Sequence, residues 1–180
     1  MNKEKWLKYL EHCTGEFGMT VSSGIGSENH LGLTFKFFQD CIPDIQKVNM
    51  LDVGCGDAQT NIIQGKWTGL DLCSKDENII KGDAHELPFK DESFNVVFSS
   101  HCIEHTISPL ICLTEMNRVL TQDGNLVLGV PVDPGFMATA HNYVLTIKGW
   151  SLLLTRCRFI IERIETKSNC AMFHCTKRRE

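Results

Sequence analysis

The run Met50-Leu-Asp-Val-Gly-Cys-Gly-Asp-Ala sets two glycines and two further carboxylates close together at the end of a short apolar stretch. Gly54 and Gly56 let a backbone turn sharply and approach a ligand closely. Asp52 and Asp57 flank that turn with negative charge. A Gly-x-Gly pair by itself also suits a plain strand-to-helix turn, and it opens the loops that hold dinucleotides. The charges separate these ligands. Two carboxylates are a poor setting for a pyrophosphate, and Gln59 stands where the third glycine of Gly-x-Gly-x-x-Gly would fall. A ligand carrying an ammonium and a sulfonium suits the same setting, and that description fits S-adenosylmethionine.

Two more acids follow in order. Asp71 ends the run Gly69-Leu-Asp-Leu, where an acid can accept hydrogen bonds from both ribose hydroxyls of an adenosine cofactor. Asp83 lies in Gly82-Asp-Ala-His-Glu-Leu-Pro-Phe, with the options of accepting from an adenine amine or merely forming a turn. The ordered series is more specific than any member. Candidate proton acceptors gather in Ser99-Ser-His-Cys-Ile-Glu-His. His101 and His105 have suitable acidity, Glu104 sits beside them, and the competing role for Glu104 and His105 is to steady the loop that follows. His141 precedes a predicted helix and is a further candidate, whereas His174 falls in a predicted strand and reads as structural. Cys55 reads as a small packing residue rather than a nucleophile. Trp6, Trp67 and Trp150 read as core or edge aromatics.

These residues need a scaffold that presents strand ends. Short apolar runs at Val48–Val53, Trp67–Leu72, Ile79–Ile80, Phe94–Ser99 and Asn125–Val130 read as strands. Helical spacing marks Lys3–Cys13, Leu31–Cys41, Pro109–Leu120 and Thr146–Thr155, and a Gly/Ser-rich loop lies between the first two. Thr121-Gln-Asp-Gly is expected to close the third of these helices with a turn. Strands alternating with helices imply an α/β fold with a mostly parallel sheet, and the short links after the second and third strands imply reduced crossover helices. Strands near Phe159–Glu165 and Cys170–Thr176 are joined only by Lys167-Ser-Asn, too short for a parallel crossover, so they should pair antiparallel.

The chain has 180 residues, 18 basic and 22 acidic side chains and a net charge of −4. That balance gives no general attraction to nucleic acid or anionic lipid. No apolar run approaches the ~18 residues of a spanning helix, and the start lacks the apolar core of a signal peptide, so a single cytoplasmic domain is expected. The nine cysteines are scattered without a Cys-x-x-Cys pair, so neither a disulfide framework nor a metal site is expected.

Leu51-Asp-Val-Gly-Cys-Gly, Gly69-Leu-Asp, Gly82-Asp-Ala-His-Glu-Leu-Pro-Phe, Asp91-Glu-Ser-Phe-Asn-Val-Val and Arg118-Val-Leu-Thr-Gln-Asp-Gly-Asn-Leu-Val-Leu occur in this order. Together they resemble the successive motifs of class I S-adenosylmethionine-dependent methyltransferases, in the small-molecule, type 11-like branch that includes quinone and sterol methyltransferases. The resemblance is strong from Val48 to Val130 and loose beyond. It implies a Rossmann-like, seven-stranded sheet whose last strand inserts antiparallel. It also implies a helical cap over 1–47, a cofactor core over 48–130, and a substrate-side loop, helix and strand pair over 131–180. By position, Gly54, Cys55 and Gly56 would line the methionine moiety with Asp52 supporting the loop. Asp71 and Leu72 would meet the ribose, Asp83 and Ala84 the adenine, and Ser99 and Ser100 would close the pocket.

The chemistry implied is in-line methyl transfer that leaves S-adenosylhomocysteine, in which alignment supplies much of the catalysis and His101, His105 or Glu104 would assist as base. Departures are Asp57 in place of a small residue, the Thr121-Gln-Asp-Gly variant, and Cys157-Arg-Phe where Ala-Gly-Phe is frequent. Ser99-Ser-His-Cys replaces the Asn/Asp-Pro-Pro-Tyr/Phe run of nucleic-acid amine methyltransferases. A small or medium-sized acceptor is therefore expected, with no nucleic acid and no membrane. It would lie beneath a small cap that includes the Pro131–Tyr143 loop, partly exposed, held by a partner, or enclosed by a second subunit of a homodimer. Lacking an unmistakable base, the residues also fit a non-catalytic subunit or regulator that binds the cofactor.

Overall fold

A computed structural model describes residues 30–56, 65–132 and 141–179. The expected helix Lys3–Cys13, the Gly/Ser loop, Asp57 and Gln59 lie outside them, as does most of the Pro131–Tyr143 loop. The described elements are α1 (His30–Cys41), β1 (Asn49–Val53), β2 (Lys66–Asp71), β3 (Ile80–Lys81), β4 (Phe94–Ser100), α2 (Pro109–Val119), β5 (Leu120–Pro131), α3 (Ile147–Arg156), β6 (Phe159–Lys167) and β7 (Cys170–Lys177). They build a seven-stranded sheet in the order β3-β2-β1-β4-β5-β7-β6. The first five strands run parallel. β7 pairs antiparallel with both β5 and β6, as the short Lys167-Ser-Asn link requires. No helix joins β2 to β3 or β3 to β4, so the reduced crossovers are present.

Strand side chains alternate between faces, and the core divides accordingly. Leu51 and Val53 of β1, Val97 of β4, Leu126, Leu128 and Val130 of β5, and Ala171, Phe173 and Cys175 of β7 pack with Leu113 and Met116 of α2 and with Trp150 and Leu154 of α3. Their neighbours Met50, Val96, Phe98, Val127, Cys170 and Met172 turn the other way, onto Leu33, Phe35, Phe37 and Phe38 of α1. Both faces are therefore covered, which is why the strands read as continuous apolar runs.

The helices start where local chemistry allows. Ser108 caps α2 by accepting from the Ile111 N–H, with Pro109 at the first turn. Thr146 caps α3 by accepting from the Gly149 N–H. One expectation changes. Thr121-Gln-Asp-Gly does not separate α2 from the strand but lies inside β5, as an irregularity. Phe94 pairs with Leu120 whereas Val96 pairs with Asn125, and Asp123 takes a φ of 60°. The intervening residues bulge out of the ladder, so the strand can start where the helix stops.

Candidate active site

The carboxyl ends of β1, β2 and β4 meet at the glycine turn. Gly54 donates its N–H to Leu70 O at 2.8 Å, which carries the β1–β2 ladder one residue further. Gly54 and Gly56 then take φ of 76° and 55°. That region is costly for any residue with a Cβ. At Gly54 space is lacking as well, because a Cβ would lie 2.4 Å from Cys102 Sγ and 2.5 Å from Cys102 Cβ. The turn is therefore in van der Waals contact with the segment that follows β4. The Cys55 thiol lies over Gly69, where an added Cβ would come within 2.8 Å of it. This matches the small packing role read from the sequence.

Asp71 holds the turn from the end of β2. Its Oδ2 accepts from the Gly56 N–H at 3.0 Å and its Oδ1 from the Cys73 N–H at 2.8 Å. Each carboxylate oxygen has a second lone pair, so these bonds are compatible with accepting from a diol. Asp52 is buried within β1, and Leu72 follows Asp71 at the strand end. Asp83 is engaged internally: Oδ1 accepts from the His85 N–H at 2.9 Å and lies 2.6 Å from His85 Nδ1. Ala84 packs against the α2-side core.

The Ser108 N–H points at His85 Nε2 from 3.2 Å, a contact that needs a lone pair on that nitrogen. It opposes ring protonation, but a 2.6 Å charge-assisted bond outweighs a 3.2 Å neutral one. Asp83, helped by Cys112, therefore raises the His85 pKa, to about 10.

The two serines expected to close the pocket are tied inward. Ser99, fully buried, donates to Val53 O at 2.9 Å, and Ser100 donates to Thr34 Oγ1 at 3.1 Å. Thr34 in turn lies over Gly129, where a Cβ would be 2.2 Å from its hydroxyl. These contacts seat α1 on β4 and β5.

Beyond Ser100 the chain passes through His101 at φ 50°, whose N–H donates to Gly129 O at 2.9 Å. It then forms a short 3-10 turn over Ile103–His105. Glu104 is completely buried, with Oε1 3.1 Å from His101 Nδ1 and 3.9 Å from His105 Nε2. Burial works against charge on both partners of the His101–Glu104 pair. For Glu104, the neighbouring His101, with His105 adding to it, outweighs burial and holds the carboxyl below its usual range. For His101, contacts with Cys170 and Glu104 outweigh burial and raise the ring's pKa.

His141 arrives from the other side of the sequence, its ring centroid 4.8 Å from that of His105. His101, Glu104, His105 and His141 thus form one cluster beside the glycine turn. His174 is apart from it, in β7, with Nε2 2.8 Å from Asn125 Oδ1 and its pKa lowered by burial.

Sequence reasoning missed the residues that hold this cluster together. Asn142 and Tyr143 donate their N–H groups to Glu104 O at 2.8 and 3.0 Å, and the Asn142 side chain donates to His105 O at 2.8 Å. It missed Arg118 as an organiser too. The guanidinium donates to Phe89 O, Leu87 O, Asp91 and Glu115 at 2.7–3.0 Å, pinning the turn after Asp83 to α2. Arg118 had a visible signal in its motif; Asn142 had none.

A mostly parallel seven-stranded sheet with β7 inserted antiparallel, a glycine turn after β1 and acids after β2 and β3 defines the class I methyltransferase fold. The comparisons agree. Residues 51–128 match the family model described as "Methyltransferase domain". A demethylmenaquinone methyltransferase of Staphylococcus aureus (strain MRSA252) is 28% identical over 151 residues, covering 82% of this chain and 53% of that protein. The chain therefore spans about half the length of the curated relatives it matches.

Among solved structures, the 1,6-didemethyltoxoflavin-N1-methyltransferase of Burkholderia thailandensis, with bound 1,6-didemethyltoxoflavin and S-adenosylhomocysteine, superposes with a TM-score of 0.77 at 14% identity. That superposition covers 99% of this chain and 92% of that one. The [4+2]-cyclase SpnF superposes with a TM-score of 0.66 at 14% identity, over 85% of each chain. Residues 51–128 are therefore similar to a methyltransferase domain, on a fold of the class I, S-adenosylmethionine-dependent type. The cofactor of that type is compatible with the site, where backbone turned by two left-handed glycines faces acids from neighbouring strands.

Proposed function

We propose that this chain transfers a methyl group from S-adenosylmethionine to a small or medium-sized acceptor. The fold alone does not set the reaction, since SpnF shares it. The observation that carries this reading is the contact of Gly54 with Cys102. It joins the cofactor turn to the His101–His105 segment, so cofactor and acceptor chemistry fall at one end of the sheet. When bound, S-adenosylmethionine supplies a methyl group already activated by its sulfonium.

The chain's own residues then bind and align. Gly54, Cys55 and Gly56 present backbone at close range, Asp71 accepts from the ribose, and the Asp83–Ala84 turn borders the adenine. Ser99 and Ser100 hold the strand ends and α1 in place. Cys170 and Glu104 favour the protonated form of the His101 ring against its burial, and Glu104 Oε1 stands 3.1 Å from its Nδ1. The part of His101 is to position the segment rather than to act as base. Alignment of the two substrates then supplies much of the rate.

Calorimetric titration with S-adenosylmethionine and NAD, followed by a screen of small acceptors for release of S-adenosylhomocysteine, tests this. Binding of S-adenosylmethionine with acceptor-dependent turnover is expected. A folded protein that binds NAD and ignores S-adenosylmethionine overturns it. Binding without any turnover supports a cofactor-binding subunit instead.

A further inference from the structure

Glu104, His105 and His141 each offer one ligand atom, and the three atoms lie within 4.8 Å of one another. The backbone on both sides is fixed. Asn142 and Tyr143 bond to Glu104 O, the Asn142 side chain bonds to His105 O, and the Tyr143 hydroxyl donates to Ile107 O at 2.7 Å. A second, independent observation concerns Glu104. Its side chain has no solvent exposure, and while His101 Nδ1 stands 3.1 Å from Oε1, Oε2 accepts no hydrogen bond among the described residues. A buried carboxylate in that condition is costly unless something else compensates it. The imidazole of His101 lies near one oxygen only, Oε1.

We propose that Glu104, His105 and His141 bind a divalent first-row transition ion of the zinc type. Two imidazoles and one carboxylate are the donors such ions take, whereas calcium and magnesium favour sites made of oxygen alone. Three protein ligands with a position left open is also the ligand count of catalytic zinc sites. With metal–ligand bonds of about 2.0–2.1 Å in a tetrahedral site, ligand atoms sit about 3.3 Å apart. The Glu104–His105 separation of 3.9 Å and the 4.8 Å limit therefore need only side-chain closure. His101 lies behind Glu104 as the outer group that orients a ligating carboxylate.

Sequence spacing could not reveal this site. His141 is far from the Glu104-His105 pair along the chain, and only the Asn142 and Tyr143 hydrogen bonds bring it back. Because Cys102 joins this segment to Gly54, the ion would stand beside the cofactor turn. There its open position would bind an acceptor oxygen and ease that oxygen's deprotonation. This last role rests on the methyl-transfer reading; the ion site does not.

Chelator-stripped full chain titrated with Co2+ and Zn2+ tests the proposal. One saturating equivalent of Co2+ is expected, with visible d–d absorption and no near-ultraviolet thiolate band, since the cysteines are the competing ligands. Glu104→Gln and His141→Ala should each weaken it at least about tenfold while leaving the thermal melt of the stripped protein cooperative. Failure to saturate, a thiolate band, or affinity unchanged in His141→Ala overturns the site. A parallel calorimetric titration with S-adenosylmethionine on stripped protein keeps the two ideas apart, because ion binding without cofactor binding sinks only the methyl-transfer reading, and the converse sinks only the ion site.

Discussion

Replacing Gly54 with alanine should expose two separate penalties. The φ of 76° puts a residue with a Cβ into the left-handed region, at about 1–2 kcal/mol. The new methyl must also displace Cys102, whose Sγ and Cβ would lie 2.4 and 2.5 Å away, and overpacking of this kind costs about 1–3 kcal/mol. The sum is about 2–5 kcal/mol, which for a chain of this size lowers the melting temperature by roughly 10 °C. Circular-dichroism melts measure that loss, and calorimetry should show weaker S-adenosylmethionine binding as well. The two penalties separate in a second background. Cys102→Gly removes both clashing atoms, so Gly54→Ala should cost about 1–3 kcal/mol less there. Cys102→Ala keeps the Cβ and should rescue little. If Gly54→Ala costs the same with cysteine, alanine or glycine at position 102, the contact that joins the glycine turn to the segment after β4 is not made.

Three further outcomes are expected. Arg118→Met leaves the Leu87 and Phe89 carbonyls and the Glu115 carboxylate without their cation and should cost about 2–4 kcal/mol in denaturant unfolding; a loss below about 1 kcal/mol would mean water substitutes for the guanidinium. His85 gains proton affinity on folding, so its contribution is complete below its unfolded pKa of about 6.5 and fades as pH rises through about 10. The stability difference between wild type and His85→Gln should therefore shrink across that window, and a difference independent of pH counts against the pairing. Gly129→Ala should destabilise by about 1–3 kcal/mol through Thr34, with recovery in Thr34→Ala; no recovery would show that α1 is not seated there.

Short, nearly continuous apolar runs announced β1, β2, β4 and β7, because a sheet covered on both faces buries side chains on both sides of its strands. The loop chemistry was legible for a related reason: Gly54 and Asp71 act through backbone geometry and charge that few residue types provide. What stayed hidden depended on tertiary partners. Ser99 reads as a pocket residue, and its bond to Val53 O, a partner 46 positions away, is not legible in the sequence. Thr121–Gly124 carried every mark of a turn, and only pairing with β4 turns it into a bulge. His141 was one histidine among several until Asn142 and Tyr143 fastened its segment to Glu104. Nothing local encodes a contact whose two halves lie in distant parts of the chain.

The insertion of β7 between β5 and β6 has a consequence for assembly. During synthesis β5 emerges with its outer edge bare, and its residues Asn125 and Pro131 find their ladder partners only when Thr176 and Cys170 arrive. β6, made in between, has no strand to join until then. The nascent chain therefore carries an open, apolar strand edge, a template for pairing with neighbouring molecules. Completing the sheet from within, rather than growing it outward, makes this a slow, late and aggregation-exposed step of folding.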